Sequence, residues 1–167
     1  MTNTSSLPPI RRIVTGHSDE AKAIIKNDNL VSTAIQPHGN ANALIWSSDS
    51  SPAEVTSKKD KGTVATGHVN HGSILRIVDL PPKSTGSVHR SVSLDYVVVQ
   101  KGNIELILDD EARVAVNEGD IVVQQATMHG WNNRSDQWAR LICVLLPAQV
   151  PVINGVTLDA HVTFSVK

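Results

Sequence analysis

The sequence predicts an all-β domain that closes on itself as a sandwich or barrel. Val and Ile number 21 and 13 in 167 residues, and β-branched side chains suit a pleated, half-buried surface better than a helix. Short apolar runs recur between turn signals, without the spacing of an amphipathic helix. A chain of this length holds one core of ordinary size, so all the strands are expected to share it.

Taken in order, Ile10-Val14 reads as a strand, Ser18 to Lys26 as a short helix or the far arm of a hairpin, and Ala43-Trp46 as a further strand. Ser47 to Gly67 is rich in Ser, Lys, Asp and Thr and reads as a long surface loop. Six strands then follow at regular spacing. Ile74-Val78 stops before Pro81-Pro82, Tyr96-Gln100 before Lys101-Gly102, and Ile104-Leu108 before Asp109-Asp110. Arg113-Val116 stops before Asn117-Glu118-Gly119-Asp120, and Ile121-Gln125 and Leu141-Leu146 complete the set. The acidic run Asp109-Asp110-Glu111 falls between two strands, where Asp favours a turn and water solvates the charge.

Fifteen Lys and Arg against sixteen Asp and Glu give a formal charge of -1 with no basic stripe. Nucleic acid is not an expected partner. No apolar run reaches the length of a membrane span, and Met1 to Pro9 lacks the apolar stretch of a signal peptide. The expectation is a soluble cytoplasmic protein with no membrane partner. The single cysteine, Cys143, lies in the apolar run Leu141 to Leu146 and is read as a buried thiol. Dinucleotide, P-loop, α/β-hydrolase and zincin motifs are all absent.

Two of the seven histidines sit where a barrel could use them. In His89-Arg90-Ser91-Val92-Ser93-Leu94-Asp95, strand alternation sends His89, Ser91, Ser93 and Asp95 to one face if the strand is unbroken. Arg90 then points the other way. His129 follows the strand Ile121-Gln125, with Trp131 two residues on. His68 and His71 lie between two glycines and read as a solvated turn, while His17, His38 and His161 read as surface residues.

With these residues in view, the chain resembles the small single-domain cupins. That family carries a motif G-x5-H-x-H-x3/4-E-x6-G and a second, G-x5-P-x-G-x2-H-x3-N. Registered on Gly102, the first puts His89 and Ser91 at the two histidines and Asp95 at the glutamate. Registered on His129, the second takes Gly119 for its leading glycine, Gln124 for its proline, Ala126 for its inner glycine and Asn133 for its asparagine. The similarity spans about Ile74 to Leu146 and extends to fungal and bacterial cupins of natural-product pathways.

The resemblance implies one domain over residues 1–167, a double-stranded β-helix (jelly-roll) barrel with core 74–146 and an N-terminal extension of strands and loop over 10–67. It also implies a homodimer that binds a small molecule inside the barrel. The expected chemistry is non-redox: a lyase or isomerase, working as dehydratase, cyclase or decarboxylase on an oxygenated, polyketide-like intermediate without a cofactor. His89 and His129 would be base and acid, and Asp95 would orient one of them. Ser91, Ser93, Arg76 and Trp131 would bind substrate, with Arg76 on a carboxylate or phenolate. The alternative is a metal-dependent cupin, a dioxygenase or metal-assisted lyase, with His89, Asp95 and His129 as ligands to iron, manganese, nickel or zinc. A ligand-binding cupin without catalysis is the second alternative.

Overall fold

The computed structural model describes residues 4–67 and 69–162, the last by its backbone alone. Among the described residues the regular structure is all strand apart from one 3-10 turn at Asp109–Glu111. It opens with β1 (Ile10–His17), β2 (Ala23–Val31), β3 (Ala34–Ile35) and β4 (Ala41–Ser48). Next come β5 (Ser73–Leu80), β6 (His89–Arg90), β7 (Ser93–Lys101), β8 (Ile104–Ile107) and β9 (Arg113–Val116). The barrel closes with β10 (Ile121–Gln125), β11 (Gly130–Asn132) and β12 (Ala139–Pro147). Three short strands follow: β13 (Val152–Ile153), β14 (Val156–Thr157) and β15 (His161–Val162).

The segment over Ser18 to Lys26 is the far arm of a hairpin, since β1 and β2 pair antiparallel from Ile10 opposite Val31 to His17 opposite Ala23. A helix there would have left the β1 backbone unpaired. Residues 49–67 and 69–72 form no strand or helix, as the composition of the segment indicates. Arg12 ties this loop down through two bonds to Asp60, at 3.0 and 2.6 Å, and Asn27 adds a third at 3.0 Å.

Six strands form one sheet in the order β10-β7-β12-β5-β4-β3, and three form another, β11-β8-β9. Alternation explains how they close. Ile74 and Leu80 of β5, Val97 and Val99 of β7, and Leu141, Cys143 and Leu145 of β12 face inward to meet Ile104, Leu106 and Val116 of the small sheet. The opposite face of the large sheet is covered over β4, β5 and β12, while Tyr96 of β7 and Ile121 and Val123 of β10 stay exposed. Ala43, Ile45 and Ile77 form a second core there with Ile10 and Val31 of the hairpin and with Leu75 and Ile142.

One buried ion pair joins this outer layer to the sheet. Arg140 of β12 and Asp79 of β5 stand opposite each other and bond through both carboxylate oxygens, at 2.6 and 2.7 Å. Ser5 and Thr33 donate to the same carboxylate at 2.5 and 2.9 Å, and Arg140 also reaches the Pro8 carbonyl at 2.9 Å. A buried charge pair offsets its desolvation only when the remaining hydrogen bonds are met. Here the N-terminal segment meets them and is fixed against the sheet.

Candidate active site

The strand expected from His89 to Asp95 is broken between Arg90 and Ser93. β6 leaves the large sheet to pair with β15, while His89 bridges His129 with backbone bonds of 2.9 Å in both directions. The break does not scatter the predicted wall. His89, Ser91 and Asp95 all line one cavity of about 160 Å³, together with Arg76, His129 and Trp131. Ser93 is the exception: it is almost fully buried and does not line the cavity. His38, Asn40 and Asn42 add a side that strand spacing did not reveal. His38 is exposed, as expected of a surface residue, yet its ring is part of the cavity rim. His68 lies outside the described residues, and His71 and His161 are exposed.

The imidazoles of His89 and His129 have ring centroids 4.4 Å apart, and Trp131 meets His129 edge-on at 5.7 Å. Each Nδ1 lies by a backbone carbonyl of its own approach loop: His89 at 3.1 Å from Ser87, His129 at 3.0 Å from Thr127. A carbonyl only accepts, so each Nδ1 carries the proton and each Nε2 is left with its lone pair. Backbone carbonyls therefore orient the rings, and the orienting role expected of Asp95 falls away.

Local sequence explains both loops. Gly86 donates to the Asn132 side chain at 3.1 Å and has no room for a Cβ, which would stand 2.5 Å from the Trp131 carbonyl. This close approach sets the Ser87 carbonyl. On the other side, the Gln124 amide donates to the Thr127 hydroxyl and, at 3.2 Å, to the Thr127 carbonyl, which fixes the turn before His129.

Electrostatics separates the groups. Burial pulls His129 down to about 4, with nearby His89 adding to the effect and the Thr127 carbonyl opposing it. Burial also raises the Asp95 carboxyl above the usual carboxylate range, against the Ser93 hydroxyl, His89 and Arg76. Asp95 is 6% exposed and its Oδ1 has no hydrogen-bond partner. A carboxyl inclined to keep its proton can serve as an acid, and an imidazole that stays neutral can accept a hydrogen bond through Nε2. Cys143 lines the cavity as well, but burial pushes its thiol up to about 12, so it is a neutral wall group.

The same residues can be tested as metal ligands. Two imidazoles with Nδ1 held by carbonyls are well set for ligation. The expected third donor, Asp95, does not complete the set: no group of three or more His, Cys, Asp or Glu among the described residues could hold a metal ion, and Ser91 stands where the family pattern has its middle histidine. The donor set does not fit a facial triad.

A family model described as a cupin domain matches residues 76–145. The "Cupin-domain-containing oxidoreductase virC" of Hypocrea virens is 33% identical over 92% of this chain and 86% of its own length. The chain belongs to the cupins. "Phomopsin biosynthesis cluster protein C'" of Diaporthe leptostromiformis is 36% identical over 67% of this cupin and 64% of its own length. Among solved structures, a putative ethanolamine utilization protein Q of Salmonella typhimurium has a TM-score of 0.50 at 9% identity. It covers 84% of the cupin and 98% of its own chain, a likeness of fold alone. The two facing sheets are thus the double-stranded β-helix of the family.

Proposed function

We propose that this cupin is an enzyme of natural-product biosynthesis that carries out acid-base chemistry without redox change on a small oxygenated molecule in its barrel. The observation that carries this reading is the pairing of two carbonyl-locked imidazoles with a desolvated carboxyl in one cavity. The phomopsin cluster protein, by its printed name, supports the biosynthetic setting.

For a β-hydroxy carbonyl substrate the division of labour is direct. His89 takes the proton from the carbon next to the carbonyl through Nε2, and a carbon-carbon double bond forms. The carbon-oxygen bond breaks, and the hydroxyl leaves as water with the proton of Asp95. Solvent then returns the proton from His89 to Asp95. His129 is too weak a base at neutral pH to share the first step, so its Nε2 accepts a hydrogen bond from the substrate hydroxyl.

The test is turnover of a panel of β-hydroxy ketones and β-keto acids in heavy water with chelator present, followed by proton NMR. Water loss and deuterium uptake are expected in the wild type. His89→Ala and Asp95→Asn should lower kcat by roughly 10²- to 10⁴-fold, the usual worth of a general acid or base. Equal rates for Asp95→Asn and wild type would contradict the assignment. The printed name of the virC relative favours a second reading, an oxidoreductase. Turnover that needs added iron(II) and oxygen would support that reading instead.

A further inference from the structure

We infer that Arg76 and Asp95 recognise an acid: the ligand is a small monocarboxylate whose carboxylate sits on the Arg76 guanidinium. This rests on the reading above and names the substrate class of the same cavity. The two buried arginines are both neutralised, Arg12 by Asp60 and Arg140 by Asp79, each through two bonds, and half-buried Arg90 does not line the cavity. Arg76 is treated differently. Its side chain lines the cavity and donates to the Gly67 carbonyl at 3.1 Å, but no carboxylate of the described residues lies within ion-pair distance.

Register explains the placement. Arg76 of β5 stands between Leu44 of β4 and Cys143 of β12, in the middle of the large sheet. Arg76 feels the Asp95 carboxyl across the cavity but makes no direct ion pair with it, and a partly desolvated cation in that position is costly unless a ligand supplies a paired charge. A carboxylate matches the guanidinium fork through two parallel hydrogen bonds. Asp95 faces the same space with an unpartnered Oδ1 and, in its protonated form, offers an O–H to the bound carboxylate. Val78, Leu80, Val97, Leu141 and Leu145 supply apolar wall around these groups.

The volume limits the rest of the ligand. An apolar cavity of about 150 Å³ holds a benzene, so about 160 Å³ holds one ring with its carboxylate and not a fused ring system. Longer substituents have to leave through the rim beside His38 and Gly86. The substrate end that reacts is therefore monocyclic in size or smaller.

Calorimetric titration with benzoate and with its neutral isostere benzamide tests this without any turnover. Benzoate is expected to bind the wild type roughly ten- to hundredfold more tightly than benzamide, the worth of a charge-assisted hydrogen bond. Arg76→Gln should abolish that preference, and Arg76→Lys should keep part of it. Asp95→Asn, which keeps a side-chain donor, should retain benzoate binding. Equal binding of the two probes by the wild type, or an undiminished preference in Arg76→Gln, would overturn the inference. Such a result would leave the acid-base reading standing, because that is judged by the turnover of His89 and Asp95 variants.

Discussion

His89 and His129 share a carbonyl-locked tautomer, and burial adds a pH dependence at His129. A histidine held below its ordinary value binds its proton less readily folded than unfolded. Its contribution is complete above about pH 6.5 and is lost as pH falls toward 4. The shift from 6.5 to about 4 corresponds to about 3 kcal/mol over that window. Asp95 works in the opposite direction, since a carboxyl raised by burial stabilises the fold as pH falls. NMR titration of the imidazoles should show His129 neutral until about pH 4. Urea melts should show a smaller loss of stability between pH 6.5 and 4 in His129→Asn than in the wild type. A His129 midpoint near 6.5 would refute this account of the ring. His89, Asp95 and His129 were legible in the sequence as one site through motif spacing, whereas the inward direction of Arg76 and Trp131 is seen only in the fold. His38, Asn40 and Asn42 were not legible, because the direction of the turn between β3 and β4 is set by packing that no local spacing records.

At the level of elements, the turns before the site bend through left-handed backbone. Gly102 has φ 83°. Gly119, at φ 91°, stands one residue closer to His129 than the family pattern places its leading glycine. Ala126 occupies the inner-glycine position at φ 50°, and Lys83 occupies the leading position of the first motif at φ 52°. Both are non-glycine residues in a conformation that costs about 1 kcal/mol or more. Ala126→Gly should therefore be neutral or stabilise by up to about 1 kcal/mol, because relief of strain offsets the added freedom of the unfolded chain. The control is Ala139→Gly, in regular strand and fully buried, which should cost about 1 kcal/mol. Thermal melts of both variants decide the point, and an equal loss in the two would contradict it. The barrel strands were readable because alternating β-branched runs and turn residues agreed. The break between β6 and β7 was not, since it depends on β15 arriving from the far end of the chain to pair with β6.

The whole molecule has two apolar layers with the large sheet between them, and only the inner one encloses the site. The outer hairpin and the N-terminal residues on the Asp79–Arg140 pair cover the far face of the strands that carry Arg76 and Cys143. Those strands are thereby packed on both sides, which holds the cavity side chains in place. The all-β class and one-core barrel were visible in the sequence, but the second core was not: Ile10, Val31 and Ile77 are ordinary strand residues until the hairpin folds over the sheet. The central claim is that this barrel works through its own imidazoles and carboxyl. Metal content by inductively coupled plasma mass spectrometry, on untagged wild type and His129→Ala after chelator-free gel filtration, tests it most directly. The account predicts metal far below one equivalent in both proteins. Near-stoichiometric iron, manganese, nickel or zinc in the wild type that falls in the variant would contradict it.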